Sequence, residues 1–366
     1  MYLKNLNLFN YRGYDKQNIA FRNGVNLLIG NNGSGKTNLL EAIYFLSLAK
    51  SYKTEDQNLI QFKQDFAKIQ TSILDKDLKY KIKIIISKNK KKIIFNDQEI
   101  NKLSDYIGKI NVISFLPEDM NLIKGPPKNR RYFIDSIIGQ IDRNYLLELS
   151  NYKNILKQRN ELIKKLSEEK KPDLTLLDIY TEQVAKSGTN IINYRKNIIN
   201  NINQELKSIY PYLANNNKNF NFSYEPSIPE NLETSLKDNY RKDLFIKTTT
   251  SGPHRDDYGF YLDKNDSKAV ASQGEQRIMI LALLLAISTI VETIKKTKPI
   301  LLLDDVFSEL DSLRQNKLIN YLNKSNLQTI ITTTTTANIN QSILNTAKIY
   351  QVKNHFIRGK NHEWKH

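Results

Sequence analysis

Three glycines, a lysine and a threonine stand between two apolar runs in LIGNNGSGKTNLLEAIYF, residues 28–45. From Gly30 to Thr37 the spacing is G-x-x-x-x-G-K-T, the pattern of a phosphate-binding loop. The chemistry follows from the residue types. Glycines let the backbone turn where side chains would clash and let its N–H groups approach phosphate closely. Lys36 reaches the β- and γ-phosphates, and the Thr37 hydroxyl suits Mg²⁺. The stretch Gly30, Asn31, Asn32, Gly33, Ser34, Gly35, Lys36, Thr37 and Asn38 is therefore the candidate nucleotide contact.

A second stretch, PILLLDDVFSELD at 299–311, can complete such a site. A buried strand that delivers a carboxylate at its C-terminal tip is how phosphate-loop folds hold Mg²⁺. Asp304 is placed to bind the metal, directly or through water, and Asp305 to polarise the attacking water. Lys36, Asp304 and Asp305 are the candidate catalytic set, with Thr37 and Asp304 as metal ligands. A third stretch is SQGEQRIMILALLLAIS at 272–288. Ser272 stands as an N-cap with Glu275 three residues on, a capping-box spacing. The start of that helix, Ser272, Gln273, Gly274 and Glu275, offers a second anion site through its free N–H groups.

These residues need elements to position them. Val25 to Ile29 reads as a buried strand, and 37–48 has helical apolar spacing at Leu39, Leu40, Ile43 and Leu46. Residues 1–30 alternate as strands do, and strands are expected at 79–86 and 92–95 with a turn at Asn96–Asp97. From about 130 to 210 the pattern is helical and charged, broken by a turn at Glu168–Asp173 beside Pro172. Residues 211–235 read as loop or irregular strand. The threonine run 332–336 follows an apolar strand at 329–331 and reads as its β-branched end.

Composition narrows the class. Lysine and arginine outnumber aspartate and glutamate by 55 to 38, a net charge of +17, which points to a polyanionic partner. The absence of cysteine excludes disulfides and thiolate metal sites and fits a reducing compartment. The N-terminal residues lack the apolar core of a signal peptide. The apolar stretch 278–287 is shorter than the roughly 20 residues that span a bilayer. A soluble cytoplasmic protein with no membrane partner is expected.

The order of motifs resembles the ATP-binding-cassette ATPases: phosphate loop, S-x-G-x-Q helix, then an apolar strand ending in two acids and S-E-L-D. Ser272 precedes Asp304 by 32 positions, a separation similar to that superfamily's. Within it the chain resembles the RecF family of SMC-like ATPases over essentially its whole length. The carrying stretches are NLNLFNYRGY at 5–14, GNNGSGKTNLLEAIYFL at 30–46, FLPEDMNLIKGPPKNRRYFID at 115–135, SGPHRDD at 251–257, SQGEQR at 272–277 and LLLDDVFSELD at 301–311.

The resemblance implies an α/β fold: an ABC-type ATPase head with a mixed sheet, plus a mainly helical second lobe. The expected divisions are 1–115 and 246–366 for the two parts of the ATPase lobe and 116–245 for the helical lobe. It implies ATP and Mg²⁺ as cofactors, and an ATP-dependent homodimer in which Ser272 serves the ATP of the second subunit. It implies a weak, DNA-stimulated ATPase that binds double-stranded or gapped DNA. With RecO and RecR, such a protein helps load RecA in gap repair, replication restart and SOS induction. Arg130 and Arg131 are the candidate DNA contacts outside the ATP site, with Lys53 as a third. Lys53 stands where the family usually carries arginine, and Thr333 stands where many cassette ATPases carry a switch histidine. A threonine there limits phosphate sensing to neutral hydrogen bonding.

Other uses of the loop fit less well. A transporter's energising subunit keeps its phosphate loop and S-x-G-x-Q helix far closer than the 236 positions from Lys36 to Ser272. A chromosome-organising ATPase needs a long coiled coil, for which 130–245 is too short. A small-molecule kinase leaves the S-x-G-x-Q helix and the basic charge without a use.

Overall fold

The computed structural model describes residues 1–228, 231–336, 339 and 341–359. The chain divides into two compact units. The first comprises Met1–Met120, Glu205–Asn219 and the described residues from Ala271 onward; the second comprises Asn121–Gln204 and Phe220–Val270.

The first unit holds two six-stranded sheets. One is antiparallel, in the order Tyr14–Ala20, Tyr2–Tyr11, Phe66–Asp75, Leu78–Ser87, Lys91–Phe95 and Gln98–Ile100. The other runs Phe356–Gly359, Lys348–Lys353, Val25–Ile29, Thr329–Thr333, Ile300–Leu303 and Val112–Phe115. It is parallel except for the terminal hairpin. Burial explains the difference. Val25–Ile29, Ile300–Leu303 and Thr329–Thr333 are buried at every position, as central parallel strands are. The antiparallel strands alternate, with Leu6 and Leu8 or Ile82 and Ile84 inward and polar residues between them.

The helix Lys36–Leu48 carries apolar residues on several faces because both sheets cover it. Leu39, Leu40, Ile43, Phe45 and Leu46 share one core with Leu6, Leu8, Ile69 and Ile84 of one sheet and Leu28, Leu302 and Ile330 of the other. The helix Gln273–Lys295 packs against Val112–Phe115. It extends well beyond the ten-residue apolar stretch of the sequence, and by length and composition it could cross a membrane. In the fold, 72% of its apolar window is buried inside the protein, so it is a core helix.

The second unit contains helices Pro127–Ile141 and Arg143–Leu166, residues 175–204 of the helix Thr175–Ala214, and a three-stranded sheet of Asn265–Asp266, Asp257–Leu262 and Phe220–Glu225. The expected turn at Glu168–Asp173 falls in the gap between two of these helices. The expected hairpin turn at Asn96–Asp97 is present, and both residues have positive φ (49° and 66°), which suits Asn and Asp in a tight turn.

The region 211–235 differs from its expectation. The helix continues through Pro211 to Ala214, Phe220–Glu225 is a regular strand, and Leu232–Asp238 is a helix. Pro211 lies in the last turn, so it removes the bond to the Lys207 carbonyl but interrupts nothing except the three helical residues beyond it. Buried Tyr210, Leu213 and Ala214 hold that turn. Asn231 then caps the next helix, accepting from the N–H groups of Glu233 and Thr234.

Candidate functional site

The phosphate loop is shaped by what lies behind it. A Cβ on Gly30 would meet the Val352 carbonyl oxygen at 2.2 Å, so only glycine allows that strand to approach. Gly33 and Gly35 have φ of 78° and 111°, the left-handed region that favours glycine. Asn31, Asn32 and Gly33 form the exposed crest; Ser34, Gly35 and Lys36 are buried. Ser34 Oγ is buried with no hydrogen-bond partner among the described residues. The helix then begins with Leu39 N–H donating to the Gly35 carbonyl at 3.1 Å. The N–H groups of Lys36, Thr37 and Asn38 therefore lie ahead of the first intrahelical bond, an arrangement that attracts anions.

Lys36 Nζ donates to the carbonyls of Gly30 (2.6 Å) and Asn31 (3.0 Å). Burial pushes its pKa down, and the nearby charges of Asp304 and Asp305 oppose that shift. Thr37 Oγ1 donates to Asp304 Oδ2 at 3.0 Å, although 267 positions separate them. The other oxygen of Asp304 accepts from Thr332 Oγ1 at 2.5 Å. The same threonine oxygen accepts the Asp305 N–H at 2.9 Å, which fixes that residue in a left-handed turn with φ 50°. Asp305 Oδ1 is buried without a hydrogen-bond partner among the described residues. It lines a cavity of about 90 Å³ with Asp304, Arg277, Phe115, Met120 and Leu281, room enough for water. Burial lowers the Arg277 pKa, and Asp305 opposes that shift.

The S-x-G-x-Q segment forms the expected capping box. Ser272 Oγ accepts from Glu275 N–H at 3.3 Å, and the Glu275 carboxylate accepts from Ser272 N–H at 2.9 Å. Lys218 Nζ donates to Glu275 at 2.6 Å, and this bond leads the causes that hold the Glu275 pKa down at about 2. Ser272 and Gln273 are exposed and Gly274 is half-buried, with open space where its Cβ would be. Among the described residues no hydrogen bond joins Ser272–Glu275 to the loop at 30–38.

Thr333 is buried, and its hydroxyl donates to the Thr335 carbonyl at 2.9 Å while its own carbonyl accepts Gly30 N–H at 3.2 Å. Lys53 Nζ lies 3.7 Å from Glu118 and 5.5 Å from the Tyr52 ring centre. Its backbone N–H donates to Ser51 Oγ, which in turn donates to Glu41 of the phosphate-loop helix at 2.6 Å.

The two arginines of GPPKNRR are placed differently from a DNA-facing pair. Arg130 is 2% exposed. Its guanidinium holds Asp257 in a two-point pair (2.6 and 2.9 Å) and donates to the carbonyls of Leu122 and Gly125. Those bonds use four of its five N–H donors, so Arg130 is a brace within its unit and the expectation of a DNA contact there is corrected. Arg131 is half-buried and donates to the Asp256 carbonyl at 2.6 Å.

Several residues at the site carry no signal in the loop pattern itself. Tyr14 Oη donates to the Gly35 carbonyl at 3.0 Å, and His355 N–H donates to the Ser34 carbonyl at 2.8 Å. The two rings meet edge to face at 5.4 Å. Arg12 grips Glu41 through two hydrogen bonds of 3.0 and 2.9 Å. Tyr14 and Arg12 lie in NLNLFNYRGY, and Thr332 lies in the threonine run. Only the partner strand could show what each one does.

Comparison with known proteins adds a family to this geometry. The family described as RecF/RecN/SMC N terminal domain matches residues 2–358. The DNA replication and repair protein RecF of Bacillus thuringiensis (strain Al Hakam) is 39% identical over 366 residues, covering 97% of each chain. The solved recombination mediator protein RecF-ATPrS in the RecFOR pathway superposes with a TM-score of 0.88 at 30% identity, covering 98% of each chain. An Smc head bound to the C-winged helix domain of ScpA has a TM-score of 0.59 at 16% identity and shares the fold alone; it covers 99% of this chain and 98% of its own.

Proposed function

The chain belongs to the RecF family, and from that premise we propose that it is an ATP-gated DNA-binding protein of recombinational repair. The observation that carries the reading is the 3.0 Å bond between Thr37 and Asp304. It joins two distant motifs into one pair of hard oxygen donors at the end of the phosphate loop, a donor set suited to Mg²⁺. Thr37 and Asp304 would hold that ion, which supplies charge neutralisation for the β- and γ-phosphates.

The rest of the chemistry belongs to the chain's own residues. Lys36 and the N–H groups of Gly33 to Asn38 bind the phosphates of ATP. Asp305, held by Thr332 with one oxygen facing the cavity, orients the attacking water. Its side chain is one methylene shorter than the glutamate usual in the wider superfamily, and a slow hydrolysis suits a switch. Ser272 and its helix start lie outside the hydrogen-bond network of their own loop. That placement supports a role toward the ATP of a second subunit, with ATP closing a homodimer. The net charge of +17 supports a DNA surface. The solved relatives named for the RecFOR pathway support RecO and RecR as partners, and the reading extends this to RecA loading in the cytoplasm.

DNA binding measured with ATP, with ADP and without nucleotide, at two salt concentrations, tests this reading. ATP alone is expected to raise affinity for duplex and gapped DNA, with a log–log salt slope of about −0.9 per phosphate contact. Equal affinity in all three states would remove the gate from the reading.

A further inference from the structure

The antiparallel sheet of the first unit has one face on the core and one face whose residues are half-buried or exposed. Strand register defines the second face residue by residue. Phe9 stands opposite Lys16 on one side and Lys68 on the other, Asn7 opposite Gln70, and Asn5 opposite Ser72. Gln70 faces Lys83, Ser72 faces Lys81 and Leu74 faces Lys79. Each of these positions alternates with a buried one, such as Leu6, Leu8, Ile69, Ile82 or Ile84. The face therefore carries lysines in adjacent strands, interspersed with amides and hydroxyls and with the apolar Leu74, Ile85 and Ile94. Its one acidic side chain in the strands, Glu99, is paired with Lys92 at 2.6 Å. The turns at its ends mix signs, with Asp65, Asp77 and Asp97 beside Lys63, Lys76, Lys88 and Lys90.

One corner of this face is aromatic. Phe9 and Phe66 stack with ring centres 5.7 Å apart and planes 29° apart, and Lys68 Nζ lies 5.5 Å from the Phe9 ring centre. Phe66 is 39% exposed. A half-buried ring stacked on an exposed one, next to lysines on a sheet face, suits unpaired bases, whose faces stack on rings while the backbone meets the cations. A duplex hides its base faces and gains nothing from the rings.

We propose that this sheet face, with Phe9 and Phe66 as the stacking platform and Lys68, Lys81 and Lys83 as backbone contacts, binds single-stranded nucleic acid. The inference rests on the DNA-binding reading above and assigns a place on the chain to the unpaired strand of a gap.

The test compares an oligothymidylate of about 16 nucleotides with a duplex of equal length, both with ATP present. The triple variant Lys68→Ala/Lys81→Ala/Lys83→Ala is expected to bind the oligothymidylate at least about tenfold more weakly, with its salt slope shallower by about 2. Phe66→Ala is expected to lose on the order of tenfold for the oligothymidylate and little for the duplex, with Phe66→Tyr restoring it. Unchanged thermal midpoints and ATPase show that the variants fold. Wild-type affinity for the oligothymidylate in both variants, with duplex binding intact, overturns this inference alone. Equal losses on single strand and duplex overturn the single-strand assignment. A wild-type protein that binds neither DNA overturns the DNA-binding reading itself.

Discussion

Lys36 in the first unit and Arg159 in the second are both buried cations, and they are satisfied by different partners. Lys36 donates to two carbonyl oxygens, which carry no net charge. Arg159 is fully buried and holds the equally buried Asp243 at 2.8 Å, with the hydroxyls of Thr181 and Thr249 beside it. Arg195 likewise holds Asp135 and Asp256 and donates to the Pro253 carbonyl. The loop lysine keeps a charge that an incoming anion can match. Arg159 and Arg195 have spent theirs on carboxylates of their own chain. A buried cation thus marks a ligand site only when its contacts leave the charge unmatched, and the partner list separates the two cases.

The largest expected effect breaks the first half of this contrast. Lys36→Ala removes the cation facing the phosphates and should abolish ATP-dependent dimerisation, with hydrolysis down by on the order of 10²–10³-fold or more. Its thermal midpoint should stay near that of the wild type, because only two bonds to neutral carbonyls are lost. Sedimentation with ATP checks it; wild-type dimers would remove Lys36 from the site.

Asp243→Ala breaks the second half. It strands the Arg159 charge in a dry interior and should cost about 3–5 kcal/mol. Denaturant unfolding followed in the second unit reads this directly. Replacing both partners with apolar residues, Arg159→Met with Asp243→Leu, should recover most of the loss. A single variant as stable as the wild type would show that the pair is solvated, and the contrast with Lys36 would fall.

The same contrast explains how much the sequence shows. Gly30 to Thr37 is legible because the loop's demands fall on neighbouring residues, and Ser272 with Glu275 for the same reason. Asp304 is legible because an apolar strand ends in it. Thr332 is not, since a hydroxyl that serves Asp304 and Asp305 looks in sequence like one more β-branched residue of a strand end. Tyr14 and His355 meet only when the terminal hairpin lies beside the first strands. Arg130 was open to misreading because its partner Asp257 lies 127 positions away. The local pattern NRR shows two charges and nothing of what neutralises them. The 40-residue helix through Pro211 is hidden for a related reason. Burial of Tyr210 and Leu213, a tertiary effect, outweighs the local breaker.

A smaller effect comes from His254, in the second unit's SGPHRDD segment. Its Nε2 faces the Thr249 carbonyl at 3.1 Å, so that nitrogen carries the proton and donates. Nδ1 then accepts from Tyr152 Oη at 2.7 Å. Burial pushes the His254 pKa down from 6.5 to about 4. Between those values the unfolded chain binds a proton that the folded chain does not. Stability should therefore fall as pH drops from about 6.5 towards 4, by at most about 3 kcal/mol for this group. His254→Asn should flatten that part of the pH–stability curve. A curve unchanged by the substitution would assign the acid sensitivity to other groups.

A small change in stability is expected at Ser272, and it sharpens the comparison most, because this residue is polar, exposed and engaged with its own helix start. Ser272→Ala removes the cap to Glu275 N–H and should cost about 1 kcal/mol. Ser272→Arg should cost little more, since the side chain points to solvent space, yet its effect on function should be large. A bulky cation there blocks close approach of a second subunit and leaves Gly30 to Thr37 intact. The variant should bind ATP as a monomer, fail to dimerise and lose ATP-stimulated DNA binding. Mixing it with Lys36→Ala protein should rebuild one composite site, with the intact loop from one subunit and the intact Ser272 from the other. ATPase measured on the mixture is expected to recover in part while each protein alone stays inactive. No recovery, together with weakened ATP binding by the Ser272→Arg protein alone, would place the helix start on its own subunit's nucleotide and end the two-subunit mechanism.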